Sequence, residues 1–200
     1  TVNINGSTTF CPNGSTDLSV DNTFASYTWS NGDNTPAITV TNAATYTVTV
    51  TNADGCTGTS SIDVTESSSL TVNINGSTTF CPNGSTDLNA TAGFDTYTWS
   101  NGDNTPAITV NTAATYTVTV TNVAGCTGTS SVDVTESSSL TVNINGSTTF
   151  CPNGSTDLNA TAGFDTYTWS NGDNTPAITV TNAATYTVTV TNADGCTGTS

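Results

Sequence analysis

The sequence predicts an all-β chain of tandem antiparallel β-sandwich domains arranged end to end. Three observations carry that expectation. Residues 1–18 recur unchanged at 71–88 and 141–158, a register of 70 residues. A period of that length marks repeated small domains rather than a thin solenoid. In Thr45-Tyr46-Thr47-Val48-Thr49-Val50-Thr51, apolar residues and threonines alternate. That two-residue period belongs to a strand with one buried face. Thr, Asn, Ser, Val and Gly dominate the chain, and strong helix formers are scarce, which favours strands over helices.

The elements follow in order. Within the first copy the expected strands are 1–5, with Val2 and Ile4 inward, and 16–20, with Leu18 and Val20 inward. Next come 26–30 (Tyr27, Trp29), 37–41 (Ile38, Val40), 45–51 and 61–65 (Ile62, Val64). Turn chemistry fills the gaps: Cys11-Pro12-Asn13-Gly14, Asn31-Gly32-Asp33-Asn34 and Ala53-Asp54-Gly55. Six or seven short strands at this spacing make a sandwich. The repeats read as residues 1–66, 71–136 and 141–200, the third incomplete at its C-terminus. Residues 67–70 and 137–140 are the linkers. Leu70 runs straight into Val72 and Ile74, so the connection reads as a strand-to-strand passage rather than a loose tether. Copies two and three differ at four of their sixty shared positions. Both ends of the sequence fall inside the period and read as cuts through a longer array.

Composition removes whole classes of function. The chain has no Lys, Arg, His or Met, and 15 carboxylates give it a net charge of −15. Nucleic acid is not an expected partner, because counterion displacement needs cations. Catalytic sites built on histidine or lysine lack their base. The only glutamates are Glu66 and Glu136, both beside linkers, and no copy is singled out as a catalytic domain. The expectation is no enzyme, with no catalytic, cofactor-binding or metal residues assigned. A weak Ca²⁺ candidate is Asp33 with Asn31 and Asn34, joined by Asp21 and Asp54, although turn chemistry accounts for this loop. No apolar run approaches the roughly 18 residues of a membrane span, so no membrane insertion is expected in this segment.

The most distinctive strings are Tyr27-x-Trp29-Ser30-x-Gly32, and Tyr46-x-Val48-x-Val50 leading to Gly55-Cys56. With Phe10-Cys11-Pro12-Asn13-Gly14, they make each copy similar to the bacterial Ig-like and PKD-like repeats of large Bacteroidota surface adhesins. The SprB-type repeats of gliding adhesins are the particular likeness, and it covers essentially all of each copy. It implies an Ig-like β-sandwich, an extracellular, cell-surface location, tandem display, and a spacer or adhesive role. One turn departs from the PKD pattern: a W-x-F-G-D-G-like turn is replaced by Trp29-Ser30-Asn31-Gly32-Asp33-Asn34. No PKD-specific property is therefore carried over.

Four sets of residues are candidates for structure or function. Trp29, Trp99 and Trp169, with Tyr46, Tyr116 and Tyr186, are expected core aromatics; the alternative for the tryptophans is a platform for sugar stacking. Phe10 and Phe24 sit beside turns and are less determined. Asn5, Asn13, Asn75, Asn83, Asn89, Asn145, Asn153 and Asn159 begin N-x-S/T triplets. With Thr47 and Thr49 on the hydroxylated strand face, they are candidate glycosylation sites. Cys11, Cys56, Cys81, Cys126, Cys151 and Cys196 are expected to form disulfides in an oxidising compartment.

Two disulfide pairings remain open. The ordinary one stays within each repeat: Cys11–Cys56, Cys81–Cys126 and Cys151–Cys196. Ig-like strand directions would put those partners at opposite ends of a sandwich. The other pairing joins successive repeats: Cys11–Cys126 and Cys81–Cys196, leaving Cys56 and Cys151 for neighbouring repeats or another chain.

The functional expectation is a structural extracellular segment, the stalk or fibre of a cell-surface adhesin. The runner-up is a self-assembling subunit of an extracellular filament or sheath, and the third reading is a repeated carbohydrate-binding module. Expected partners are neighbouring repeats, other copies in a filament, and surface glycans.

Overall fold

A computed structural model describes residues 1–200. Every regular element is a strand. No helix is long and apolar enough to cross a membrane.

The first repeat shows the architecture most completely. Its strands are β1 (Asn5–Gly6), β2 (Thr9–Phe10), β3 (Thr16–Ser19), β4 (Ser26–Trp29), β5 (Ala37–Val40), β6 (Ala44–Thr51) and β7 (Thr57–Glu66). One sheet has the order β1-β3-β5, the other β2-β7-β6-β4. Inward residues of both sheets form one core. Leu18, Ile38 and Val40 come from the first; Phe10, Tyr27, Trp29, Tyr46, Val48, Val50 and Val64 come from the second. This is an Ig-like β-sandwich, in which the opening segment contributes to both sheets.

Three features depart from the sequence expectation. The strand expected over 1–5 pairs only at Asn5–Gly6. At Gly6 the two strands approach closely: φ is +142°, and the Asp17 carbonyl occupies the place a Cβ would take. Past Gly6 the chain crosses to the other sheet and forms β2. That strand runs parallel to β7, with Thr9 opposite Thr65 and Phe10 opposite Glu66, so the sandwich is not wholly antiparallel. Third, β7 starts at Thr57 rather than 61. Its first inward position is Gly58, covered by Val2, so no apolar alternation marks it in the sequence.

The buried polar groups are satisfied locally. Trp29 Nε1 donates to the Thr35 carbonyl at 2.9 Å. Tyr27 Oη donates to the Asp21 carbonyl at 3.1 Å and accepts from the Phe24 amide at 3.2 Å. Tyr46 Oη donates to the Asn42 carbonyl at 3.0 Å. No buried side-chain nitrogen or oxygen lacks a partner, as a well-formed core requires.

The second repeat comprises β8 (Ile74–Gly76), β9 (Thr79–Phe80), β10 (Thr86–Ala90), β11 (Thr96–Trp99), β12 (Ala107–Val110), β13 (Ala114–Thr121) and β14 (Thr127–Glu136). Its sheet orders, β12-β10-β8 and β11-β13-β14-β9, match those of the first. The third comprises β15 (Ile144–Gly146), β16 (Thr156–Ala160), β17 (Thr166–Trp169), β18 (Ala177–Val180), β19 (Val188–Thr191) and β20 (Thr197–Thr199). Its sheets are β15-β16-β18 and β17-β19-β20. Here the equivalent of β2 does not form. Tyr186, expected as a core aromatic, is only partly buried. Its counterpart Tyr46 pairs with Ile62 of β7, and the equivalent of Ile62 would lie beyond Ser200.

The chain packs as two compact units. One comprises Thr1–Asn73, Thr91–Pro106 and Thr117–Ser130; the other comprises Ile74–Ala90, Ala107–Tyr116 and Ser131–Ser200. The second repeat contributes to both.

Candidate functional site: the disulfide joints between repeats

The parallel pairing of β2 with β7 decides the cysteine question. Phe10 lies opposite Glu66, and the Ser67 amide donates to the Phe10 carbonyl at 2.9 Å. Cys11 therefore stands at the C-terminal end of β7. Cys56 immediately precedes Thr57, at the other end of the same ten-residue strand. A strand of that length spans about 30 Å, whereas a disulfide needs Cα atoms within about 7 Å. The within-repeat pairing is thus overturned by the length of β7.

The bonds run between repeats. Cys11 is joined to Cys126 and Cys81 to Cys196, each with Cα atoms 5.3 Å apart. Each bond lies inside one compact unit. Cys56 and Cys151, also expected in disulfides, are free and exposed. Their counterparts Cys126 and Cys196 are 3% and 2% exposed.

Each half of the joint is built by local chemistry. On the donor repeat, Cys11-Pro12-Asn13-Gly14 closes a turn through the Gly14 amide and the Cys11 carbonyl at 2.8 Å. Asn13 takes φ +59° there, a left-handed conformation that asparagine tolerates better than most residues. On the receiving repeat, the loop between β13 and β14 folds around Asn122. The Asn122 amide donates to the Cys126 carbonyl at 3.0 Å, while Asn122 Oδ1 accepts from the Cys126 amide at 2.9 Å. One side chain therefore holds the cysteine-bearing loop in shape.

The same asparagine reaches across the joint. Asn122 Nδ2 donates to Ser67 Oγ at 3.3 Å, and Asn192 Nδ2 to Ser137 Oγ at 3.2 Å. At the second joint Ser137 Oγ also donates to Asp194 Oδ2 at 2.8 Å. The first joint has Ala124 at that position and lacks this bond. Leu70 covers Gly128: a Cβ on Gly128 would stand 2.8 Å from both the Leu70 Cβ and its carbonyl oxygen. Leu140 covers Gly198 in the same way. The linker is thereby pinned to the sandwich it introduces. The sequence showed the cysteines but not the roles of Asn122, Ser67 or Gly128; their one legible trace is recurrence at the repeat period.

The remaining candidate residues sit apart from the joints. Trp29, Trp99 and Trp169 are each 2% exposed, so no indole face is open to a sugar. Phe24 is half-buried, edge-on to Tyr27. Asn5, Asn13, Asn75, Asn83, Asn89, Asn145, Asn153 and Asn159 are all exposed. Thr47 and Thr49 are half-buried on the outer face of the sheet. Thr47 Oγ1 lies 2.8 Å from Ser61 Oγ, and Thr45 Oγ1 donates to Asp63 Oδ1 at 2.6 Å. The hydroxyl row is a cross-strand ladder between β6 and β7. In the turn proposed for Ca²⁺, Asn31 Nδ2 donates to Asp33 Oδ2 at 2.7 Å, and the Asp33 amide donates to Asn31 Oδ1 at 3.1 Å. Those two residues hold the turn by hydrogen-bonding to one another.

No family model matches the chain, and no curated protein matches it. Among solved structures it is similar to murine CEACAM1b, with a TM-score of 0.37 at 10% identity, covering 68% of this chain and 100% of that one. It is also similar to SGBP-B of the Bacteroides ovatus mixed-linkage glucan utilization locus, solved with a mixed-linkage heptasaccharide. There the TM-score is 0.24 at 13% identity, covering 94% of this chain and 60% of that one. The strand pairing and the joints themselves define the class: Ig-like β-sandwich repeats tied in series by disulfides.

Proposed function

We propose that this chain is a load-bearing spacer, the stalk or fibre segment of an extracellular surface protein. One observation carries the reading: each disulfide joins one repeat to the next rather than closing a repeat on itself. A bond within a domain stabilises that domain. A bond between successive domains restricts the angle and separation between them, which matters to a protein whose task is reach. Disulfides persist in oxidising compartments, which supports an extracellular setting. The uniform negative charge of −15 keeps neighbouring chains apart at low ionic strength, an effect that salt screens.

The exposed asparagine triplets and the hydroxyl ladder support a glycan coat as part of the same reading. Coated outer faces would shield strand edges that have no lysine to protect them. Intact-mass measurement tests this directly, since the bare polypeptide is 20.2 kDa.

The test of the spacer is mechanical. Non-reducing peptide mapping should recover Cys11–Cys126 and Cys81–Cys196. Small-angle scattering before and after mild reduction should then show a broader distribution of maximum dimension, with the far-UV dichroism of the strands retained. Identical scattering in both states would remove the joint as a stiffening device.

A further inference from the structure

The two joints are a matched pair that differ by one charge. Their donor halves are identical: residues 11–18 match 81–88, and residues 67–70 match 137–140. Their receiving repeats differ at four of sixty shared positions. Only one of those changes a charge: Ala124 at the first joint is Asp194 at the second.

That carboxylate is held beside the disulfide. The Asn192 amide donates to the Cys196 carbonyl and the Gly195 amide to the Asn192 carbonyl, both at 3.0 Å. The Cys196 amide donates to Asn192 Oδ1 at 2.9 Å. Residues 192–196 therefore form one tight loop. Asp194 lies two residues from Cys196, so their Cα atoms are at most about 7 Å apart. Ser137 Oγ donates to Asp194 Oδ2 at 2.8 Å, and the aspartate stays exposed. Two residues along the same linker, Ser139 lines a cleft of about 350 Å³ with Leu140, Asn83 and Gly195. Cys81 and Cys196 form part of its wall. A cleft of that size admits a small thiol.

We propose that Asp194 makes the second joint selective among small thiols: it disfavours anionic ones and leaves neutral or cationic ones free to cleave Cys81–Cys196. The first joint, with Ala124, lacks this selectivity. The attacking species is the thiolate, so each further negative charge it carries is repelled by the nearby carboxylate. Charges common to both joints cancel in the comparison: Glu66 lies opposite Phe10, and Glu136 opposite Phe80. The inference goes beyond the spacer reading and requires only that both joints form.

The step is thiol–disulfide exchange. Cys81 is half-buried and Cys196 is 2% exposed, so the thiolate attacks Cys81 Sγ. The protein disulfide breaks, and its electron pair leaves on Cys196 Sγ, which takes a proton from water. A second thiolate attacks the added sulfur and releases Cys81 as a thiol. Two small thiols are oxidised to one disulfide, and one protein disulfide is reduced to two thiols.

The test uses the whole chain, with Cys56 and Cys151 first alkylated by iodoacetamide. Two probes are compared: glutathione, which is anionic overall, and cysteamine, whose ammonium offsets its thiolate. Newly freed thiols are trapped with N-ethylmaleimide at intervals. Cleavage at aromatic residues puts Cys126 and Cys196 on different peptides. At low salt the ratio of glutathione rate to cysteamine rate should be about threefold to fivefold smaller at Cys196 than at Cys126. High salt should bring the two ratios together. Asp194→Asn keeps an acceptor for Ser137 while removing the charge, and should equalise the joints. Ala124→Asp should lower the ratio at Cys126 to that at Cys196. Equal ratios in the parent chain, or a difference that survives Asp194→Asn, would overturn the proposal. If both bonds are present at the start and the ratios are equal, this inference fails and the spacer reading stands. If Cys126 and Cys196 are free at the start, the joints are absent and both fail.

Discussion

The first and third repeats have nearly the same sequence and unequal structures. In the first, β7 runs ten residues, from Thr57 to Glu66. In the third, the corresponding strand β20 has three, Thr197–Thr199. Everything the second half of β7 supports is weakened in the third repeat. Phe10 is buried and paired, whereas Phe150 is half-buried with no β2-like strand around it. Leu18 is 0% exposed, and its counterpart Leu158 is 9%. A groove of about 310 Å³ opens beside Phe150, Leu158 and Tyr186. In the first repeat β7 both closes the core and pairs with β2, which places Cys11 at the joint.

The largest effect should come from removing the difference. Appending Ser-Val-Asp-Val-Thr-Glu after Ser200 extends β20 toward the length of β7. It should bury one valine and complete the burial of Phe150 and Tyr186, stabilising the third repeat by about 4 kcal/mol. Amide hydrogen exchange at Val188 and Leu158 reports it; unchanged protection would mean that the strand is not what the third repeat lacks.

Next in size is the core leucine. Leu18→Ala should cost about 3–4 kcal/mol, while Leu158→Ala should cost about 2 kcal/mol, because the third core is already open. Urea unfolding of each variant measures the gap, and equal losses would contradict the asymmetry. The linker contacts should separate the first and second repeats. Gly128→Ala meets Leu70 backbone and should cost about 2 kcal/mol. Gly58→Ala meets side-chain methyls of Val2 and, at ordinary contact distance, Val50; Val2 can rotate away, and the change should cost well under 1 kcal/mol. Thermal unfolding is the readout.

The smallest effect concerns the hydroxyl ladder. Thr45→Val loses the bond to Asp63 and should cost about 1 kcal/mol. At Thr185→Val the opposing aspartate position lies beyond Ser200, so the change should be within about 0.3 kcal/mol. Denaturant midpoints compared pairwise decide whether the ladder stabilises the sheet or merely decorates it.

Much of this fold is visible along the chain. Thr45 to Thr51 alternates in sequence and forms the long strand β6. Leu18, Trp29, Ile38 and Val48 fall on inward positions by parity alone, and all are buried. The signal is strong there because a two-sided strand needs apolar groups at every second position. It fails where burial is achieved without apolar side chains. Gly58 is covered by Val2, and β2 has only two residues, too few for any pattern.

Local alternation and turn residues were therefore enough to specify strands, core faces and the repeat. Whether a cysteine bonded its own repeat or the next was a matter of distance between chain ends far apart in sequence. That distance is set by the parallel docking of β2 on β7, a pairing between residues 56 positions apart. No local pattern encodes it, because its hydrogen bonds come from the main chain, which every residue shares.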